Sequence, residues 1–299
     1  MRKSIVATAT ALSVVATGLA VAGVVGPVGP ATAALSDVPA DCGVSTAAYR
    51  SDGQRLSYAY RDRTTSTSAY VNDNLGWVPS AHQQIGGSGD DRFFRSTEYA
   101  AHPTDGWVYK VSRQGELVDG TWEITAQTAS RLKSGFANTR VLATASPYLY
   151  RVAGTSLYRY TETYVDDVFT LSSPVKLAGT GWDTVNTLTY ERSEGTGSAA
   201  VDVLIGTKTN GQLKEWRINR ATPTTISSKV LRSSGWAGFT SLSTGYCSAH
   251  PDGRVLLGIK ATSGAASVHF DANAKDGVGT DIAGGSLGSL GWTAKAYGQ

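Results

Sequence analysis

Short stretches of alternating apolar and polar residues run along most of the chain. Residues 56–60 read Leu-Ser-Tyr-Ala-Tyr, 157–160 read Leu-Tyr-Arg-Tyr, and 213–218 read Leu-Lys-Glu-Trp-Arg-Ile. A period of two residues is typical of strands with one buried face, and turn sequences such as Asn210-Gly211 separate the stretches. Segment 121–132 could form a weak helix, but its alignment with the other stretches favours a strand. The pattern therefore predicts an all-β protein.

A glycine followed by an aromatic residue recurs along the chain. The copies are Gly135-Phe136, Gly181-Trp182, Gly235-Trp236 and Gly291-Trp292, with Gly89-Asp90 as a divergent first copy. Successive glycines are 46, 46, 54 and 56 residues apart. An aliphatic residue stands three or four positions before each of the first four copies. Repeats of about 40 to 50 residues that hold four short strands are typical of β-propeller blades.

The repeat predicts a five-bladed β-propeller of four-stranded antiparallel blades. A single blade is too small to bury both of its faces, so the blades pack on one another and the ring closes. We expect an N-terminal extension at 35–46 and the propeller at 47–299. The predicted blades cover 47–98, 99–144, 145–190, 191–245 and 246–299. A two-domain β-sandwich is the structural alternative.

The first 34 residues have the layout of a secretory signal peptide. Arg2 and Lys3 precede a long apolar stretch, and Ala31-Thr32-Ala33 supplies a small-residue cleavage sequence. We expect cleavage near Ala33 or Ala34 and a secreted protein, with a retained membrane anchor as the alternative. No later stretch reaches the roughly 20 apolar residues of a spanning helix, so no membrane contact is expected after cleavage.

Charge and cysteine content narrow the classes of partner. Loss of the signal peptide would lower the formal net charge from +3 to +1, and Lys and Arg form no cluster of the kind seen in nucleic-acid-binding proteins. Cys42 and Cys247 are the only cysteines, and such a pair is expected to be bridged outside the cell. Alignment of Gly53 with Gly253 places the two cysteines near the inner edges of the first and last blades, which are neighbours only in a closed ring.

The Gly-Trp copies, the turn His250-Pro251-Asp252-Gly253 and the repeated Leu-Tyr and Leu-x-x-Trp strands resemble the tachylectin-type propeller lectins. The resemblance covers nearly all of the chain after the signal peptide. It implies a five-bladed ring that binds N-acetylated amino sugars, with one pocket per blade, no cofactor and no catalysis. Divergence among the copies argues against five equivalent pockets. The chain is also similar to the lectin subunits of bacterial antagonistic toxin particles, which implies protein subunits of a toxin assembly as further partners of a protein that is monomeric on its own.

Candidate site residues follow from the chemistry of sugar recognition. A sugar ring needs a flat aromatic surface beside a polar group that binds its hydroxyls, and Trp182-Asp183 is the best such pair. The competing interpretation is that the repeated aromatic rings fill the space between blades. The predicted ligand-binding residues are Trp182, Asp183, Trp236, Trp292, Phe136, Asp90, Tyr158 and Trp216.

Two other classes of function stay open, an adaptor in an extracellular assembly and a glycoside hydrolase. A hydrolase would need two or three carboxylates in a central funnel, and Asp52, Asp105 and Asp252 are the candidates, although each precedes a turn glycine. Residues 284–288 match G-x-S-x-G by letters but lack the strand-to-helix elbow that this nucleophile motif requires. The four histidines have no spacing typical of metal ligands. The sequence therefore predicts neither an enzyme nor a metal site.

Overall fold

The computed structural model describes residues 34–166, 168–292 and 294–298, so the predicted signal peptide lies, apart from Ala34, outside the described residues. The prediction of an all-β protein is confirmed: the described part of the chain contains strands and three single-turn 3-10 helices, Leu35–Asp37, Trp182–Thr184 and Gly197–Ala199. In these same residues, no helix has the length and apolar character needed to span a membrane. Segment 121–132 lies within a strand.

Backbone hydrogen bonds join the strands into three sheets, of twelve, five and four strands. Antiparallel pairing of consecutive strands divides these sheets into five units, which we number 1 to 5. Unit 1 holds β1 (Cys42–Tyr49), β2 (Arg55–Arg61) and β3 (Thr64–Ser68). Unit 2 holds β4 (Ala81–Gly89), β5 (Phe93–Ala101), β6 (Trp107–Val118) and β7 (Thr121–Ser134). Unit 3 holds β8 (Thr139–Ala145), β9 (Tyr148–Ala153) and β10 (Ser156–Val165), with β11 (Val168–Leu171) and β12 (Val175–Lys176) both paired to β10.

The last two units are regular meanders of four strands each. Unit 4 holds β13 (Thr189–Glu194), β14 (Val201–Thr207), β15 (Leu213–Asn219) and β16 (Ile226–Arg232). Unit 5 holds β17 (Ser241–Cys247), β18 (Arg254–Lys260), β19 (Ala265–Asp271) and β20 (Ala283–Ser289). The final strand β21 (Ala296–Gly298) returns to unit 1 and pairs antiparallel with β1. Unit 1 therefore contains strands from both ends of the described chain.

Because β21 is the innermost strand of unit 1, we count it as the first strand of that unit and β1 as the second. The first strands of the five units contact one another in a closed cycle: β21 contacts β4, β4 contacts β8, β8 contacts β13, β13 contacts β17, and β17 contacts β21. Residues of β4, β8, β17 and β21, with residues 186–188 just before β13, line an axial cavity of about 30 Å³. The predicted Cys42–Cys247 disulfide is confirmed and joins paired residues of β1 and β17. Units 1 and 5 are thus linked both by backbone hydrogen bonds and by a covalent bond.

Hydrophobic clusters fill the contacts of units 5 and 1, 2 and 3, 3 and 4, and 4 and 5. The contact of units 1 and 2 is formed by buried charged side chains, and a buried ion pair of Arg254 and Glu191 also adds to the contact of units 4 and 5. Glu98 accepts hydrogen bonds from Arg55 and Arg113, and Arg113 also bonds Asp73. The side chains of all four residues are at most 8% exposed. Units 1 and 2 are therefore joined by a buried ionic network among the described residues.

The hydrogen-bonded units are offset from the blade limits that the sequence repeat suggested. The limits after residues 98, 144, 190 and 245 fall within β5, β8, β13 and β17, and β1 begins at Cys42, inside the predicted N-terminal extension. The offset arises because the repeated glycine marks the connection between units rather than a fixed point within a unit. Gly135, Gly181, Gly235 and Gly291 each precede the first strand of the next unit.

Candidate functional site

Four of the predicted ligand-binding aromatics belong to the core. Phe136, Trp182, Trp216 and Trp236 are 0–5% exposed. Trp182 packs on Trp216 with ring centroids 5.3 Å apart, and its indole N–H donates to the Ala178 carbonyl. A sugar needs an uncovered ring face, so these four side chains cannot stack on a ligand in this structure. The interpretation that such rings fill the space between units applies to them.

The remaining predicted residues are accessible but dispersed. Trp292 is half-buried and, with Arg50 and Ser68, lines a surface pocket of about 300 Å³. Tyr158 is half-buried beneath the Arg151 guanidinium. The two acidic residues, Asp90 and Asp183, are exposed. Asp90 accepts hydrogen bonds from the backbone N–H groups of the hairpin that follows it, so its side chain has a local structural role. The structure does not bring the predicted set together at one site.

The true first copy of the glycine-aromatic repeat is Gly76-Trp77, which the sequence interpretation missed. Gly76 has φ 74°, matching the left-handed values of 86°, 77°, 93° and 64° at the other four glycines. Gly89 instead lies at the end of β4. Trp77 precedes the first strand of unit 2, and its half-buried ring lies 4.6 Å from that of His102. The positive φ explains the glycine, because side chains with a Cβ rarely adopt this conformation.

A second repeated arrangement joins units 1 to 4 in sequence. A buried tyrosine on the second strand of one unit pairs across the sheet with a cationic residue on the third strand. Its hydroxyl donates to a carboxylate of the next unit. The copies are Tyr49, Arg55 and Glu98; Tyr99, Lys110 and Glu162; and Tyr150, Arg159 and Asp202. Burial, reinforced by the adjacent carboxylate, raises the pKa of each tyrosine above its usual range, so the hydroxyls remain donors.

Two of these copies are closed to solvent and one is open. Glu98 is 1% exposed and Asp202 is 0% exposed, and each is bonded to arginine. Glu162, in contrast, is only half-buried and faces a cleft of about 270 Å³ between units 2 and 3. We call this the 2–3 cleft and define it by Tyr99, Lys110, Glu162, Tyr164 and Phe169. Thr144 and Ser146 add hydroxyls to its wall.

The 2–3 cleft combines an exposed aromatic surface with charged groups. Tyr164 is 73% exposed, and its ring centroid lies 5.1 Å from that of Phe169. The Lys110 ammonium lies 4.8 Å from the Phe169 centroid. Tyr99 donates to one oxygen of Glu162 at 2.7 Å, and the other oxygen has no hydrogen bond from the described residues. The cleft can therefore stack an apolar ring face, accept from hydroxyls and donate to a carbonyl.

The axial cavity does not have the properties of a glycosidase funnel. Its volume of about 30 Å³ is far below the roughly 300 Å³ of a small ligand pocket, and no Asp or Glu appears among its described lining residues. The candidate carboxylates lie in turns instead: Asp52 pairs with Arg50, Asp105 accepts from Tyr109, and Asp252 pairs with Lys275. Within the described ranges, no group of three or more His, Cys, Asp or Glu side chains is arranged to hold a metal ion.

Comparisons with known proteins find only distant similarities. No family model matches the chain, and no curated protein matches it. Similar solved structures include SapL1 lectin in complex with α-methyl fucoside, at 12% identity and TM-score 0.40, covering 86% of this chain and 82% of that chain. The six-bladed β-propeller lectin of Aleuria aurantia has 12% identity and TM-score 0.36, with coverage of 83% and 76%. A putative 6-phosphogluconolactonase from Bacteroides uniformis has 12% identity and TM-score 0.33, with coverage of 83% and 68%. Similarity this distant carries no argument about ligand or reaction.

Proposed function

We propose that the protein is a secreted, non-catalytic, five-bladed β-propeller that binds glycans. The five antiparallel units are its blades, and the cyclic contacts of their first strands support a closed ring. β21 and β1 complete the first blade from opposite ends of the chain. The Ala31-Thr32-Ala33 sequence supports export with cleavage near Ala33 or Ala34. On its own the protein is a monomer.

The 2–3 cleft is the observation that carries the glycan-binding proposal. Its Tyr164 ring is largely exposed beside a carboxylate that keeps one oxygen free for a ligand hydroxyl. An exposed tyrosine of this kind is more typical of a binding surface than of a core. Lys110 provides a donor at the same cleft. We assign the cleft to an N-acetylated hexosamine, with the acetamido carbonyl toward Lys110 and the sugar face on Tyr164.

Replacement of Tyr164 is expected to remove glycan binding while leaving the fold intact. Because the ring is 73% exposed, Tyr164→Ala removes a stacking surface and little core packing. Loss of about 1.4 kcal/mol of stacking and contact area corresponds to roughly tenfold weaker binding. The measurement is a glycan array weighted toward amino sugars, followed by titration of the best ligand into the wild-type and variant proteins. Glu162→Gln should also weaken binding.

Tyr246→Ala is the matched control for this experiment. Tyr246 is 66% exposed on β17, in unit 5, and does not line the 2–3 cleft. Its replacement should leave affinity unchanged. Retained affinity in both Tyr164→Ala and Glu162→Gln, together with loss in Trp292→Ala, would move the glycan site to the Trp292 pocket and contradict the assignment to the 2–3 cleft.

A role as an adaptor or targeting subunit in an extracellular toxin assembly is the second candidate. It is favoured by exposed aliphatic side chains near the β6–β7 turn: Leu117 and Val118 are 40% and 39% exposed, and Val71, which bonds Trp122 of β7, is 43% exposed. Exposed apolar groups that lie together are typical of protein contacts. This candidate would be favoured over glycan binding by two results together. The protein would bind no glycan on the array, and it would bind a protein from the secreted fraction that Leu117→Glu no longer binds.

A further inference from the structure

The contact of units 1 and 2 holds a second cleft, which differs in chemistry from the 2–3 cleft. Its volume is about 400 Å³, and we define this 1–2 cleft by Arg55, Ser57, Gln84, Arg95 and Ser96. Tyr70 and Phe94 add aromatic surface. A space of this size accommodates a sugar-sized molecule. It lies beside the buried ionic network rather than beside a hydrophobic cluster.

The charge of the 1–2 cleft is positive. No aspartate or glutamate appears among its described lining residues. The two arginines of the adjacent network, Arg55 and Arg113, are balanced by Glu98 and Asp73. Arg95 is exposed, and its guanidinium lies 5.2 Å from the centroid of the Phe93 ring. No ion pair among the described residues involves Arg95, so the cleft presents one guanidinium that no carboxylate neutralises.

The donors around this guanidinium are held in place before any ligand arrives. Arg55 donates to Glu98, to the Ser57 hydroxyl at 3.2 Å and to the side-chain amide oxygen of Gln84 at 3.1 Å. The Ser96 hydroxyl is buried and has no hydrogen-bond partner among the described residues. Fixed donors lose little conformational entropy on binding, which favours affinity. An unpartnered buried hydroxyl gains a bond when an acceptor enters.

We propose that the 1–2 cleft binds an oxyanion, the carboxylate or sulfate ester of an acidic sugar, through Arg95 and the hydroxyl-rich wall. Arginine and hydroxyl donors together suit planar or tetrahedral oxyanions. The site is separate from the 2–3 cleft, where Glu162 would repel an anion. The protein then carries two clefts of different selectivity, one for neutral amino sugars and one for acidic sugars.

Calorimetric titration of the secreted protein with glucuronate, glucose 6-sulfate and glucose tests the proposal. We expect at least one acidic sugar to bind roughly tenfold or more tightly than glucose, because the charge-assisted hydrogen bonds are absent with glucose. Added NaCl should weaken binding of the acidic sugar, since Arg95 is exposed and therefore screened. Binding of glucuronate alone identifies a carboxylate site, and binding of glucose 6-sulfate alone identifies a sulfate site.

Two variants locate the binding. Arg95→Gln should weaken acidic-sugar binding roughly tenfold or more. Arg92→Gln, the same change at an exposed residue of the adjacent β4–β5 connection that does not line the cleft, should have no effect. Equal affinity for glucose and both acidic sugars, or unchanged affinity in Arg95→Gln, would overturn the proposal. So would loss of acidic-sugar binding in Tyr164→Ala, which would place the anion in the 2–3 cleft. Because amino sugars are assigned to the 2–3 cleft, a protein that binds no amino sugar could still bind an acidic sugar in the 1–2 cleft.

Discussion

Joint replacement of Cys42 and Cys247 by serine is expected to lower the free energy of unfolding by about 3–5 kcal/mol. The disulfide spans 205 residues, and the loop-closure relation for a crosslink of that length gives about 5 kcal/mol, near the top of the range for native disulfides. Few backbone hydrogen bonds reinforce the contact that the disulfide spans, because β1 and β17 pair at only two positions and β21 has three residues. The disulfide is therefore expected to contribute much of the stability of the contact of units 5 and 1.

Denaturant unfolding of the oxidised wild type, the reduced wild type and the double serine variant measures this effect. Reduction should bring the wild type to the stability of the variant, and reducing agent should leave the variant unchanged. The oxidised protein should also have the smallest dependence of unfolding free energy on denaturant, because its unfolded chain remains looped and exposes less surface. Equal stability of all three samples would show that strand pairing and the hydrophobic cluster hold units 5 and 1 together without the crosslink.

The repeat was readable from the sequence because its glycines have a physical requirement. Each adopts a left-handed backbone before the first strand of a unit, and glycine does so without strain. The spacing of the repeat does not reveal Gly76-Trp77, because the next copy, Gly135-Phe136, follows 59 residues later. Unit 2 is this long because β6 and β7 have 12 and 14 residues, well beyond the usual five or six. Gly89-Asp90, which lies 46 residues before Gly135, matches the spacing of the next two copies and therefore resembles a first copy.

The open cleft could not be found in the same way. Trp182 is buried in the core and Tyr164 is 73% exposed, and aromatic residue type alone does not predict which of the two is open to a ligand. The carboxylate partners are also distant along the chain: Tyr49 and Glu98 are separated by 49 residues, and Tyr99 and Glu162 by 63. No local motif marks such a pair. Which copy opens to solvent depends on how neighbouring units meet, and that is a property of packing.

Glu98→Gln is expected to destabilise the fold by about 3–5 kcal/mol, the usual cost of removing one partner from a buried ionic network. The substitution leaves the Arg55 and Arg113 guanidinium groups facing a neutral amide in a site where Glu98 is 1% exposed. Glu162→Gln is the matched control, because Glu162 also accepts from a tyrosine hydroxyl but is half exposed to water. It should cost about 1 kcal/mol or less. Equal losses in the two variants would contradict the role of the buried network.

The same network predicts how stability changes with acid. Burial alone would raise the pKa of Glu98, but Arg113 and Arg55 outweigh it and lower the pKa from 4.5 to about 2. The stabilisation from this carboxylate is therefore complete above pH 4.5 and is lost as the pH falls toward 2, where the folded protein is also protonated. Burial lowers the pKa of His82 from 6.5 to about 4, despite the neighbouring Glu98 carboxylate, so protonation of the unfolded chain begins to favour unfolding below pH 6.5.

Thermal unfolding measured from pH 7 to pH 3 separates the two contributions. The wild type should lose stability first below pH 6.5 through His82 and His269, whose pKa values burial lowers to about 4, and then more steeply below pH 4.5 through Glu98. Burial raises the pKa of Asp271 to about 6, and its protonation offsets part of the first loss. In Glu98→Gln the second stage should flatten, because the titrating carboxylate is gone, while the variant starts from a lower value at pH 7. A variant with the full wild-type slope below pH 4.5 would show that other carboxylates govern the acid response.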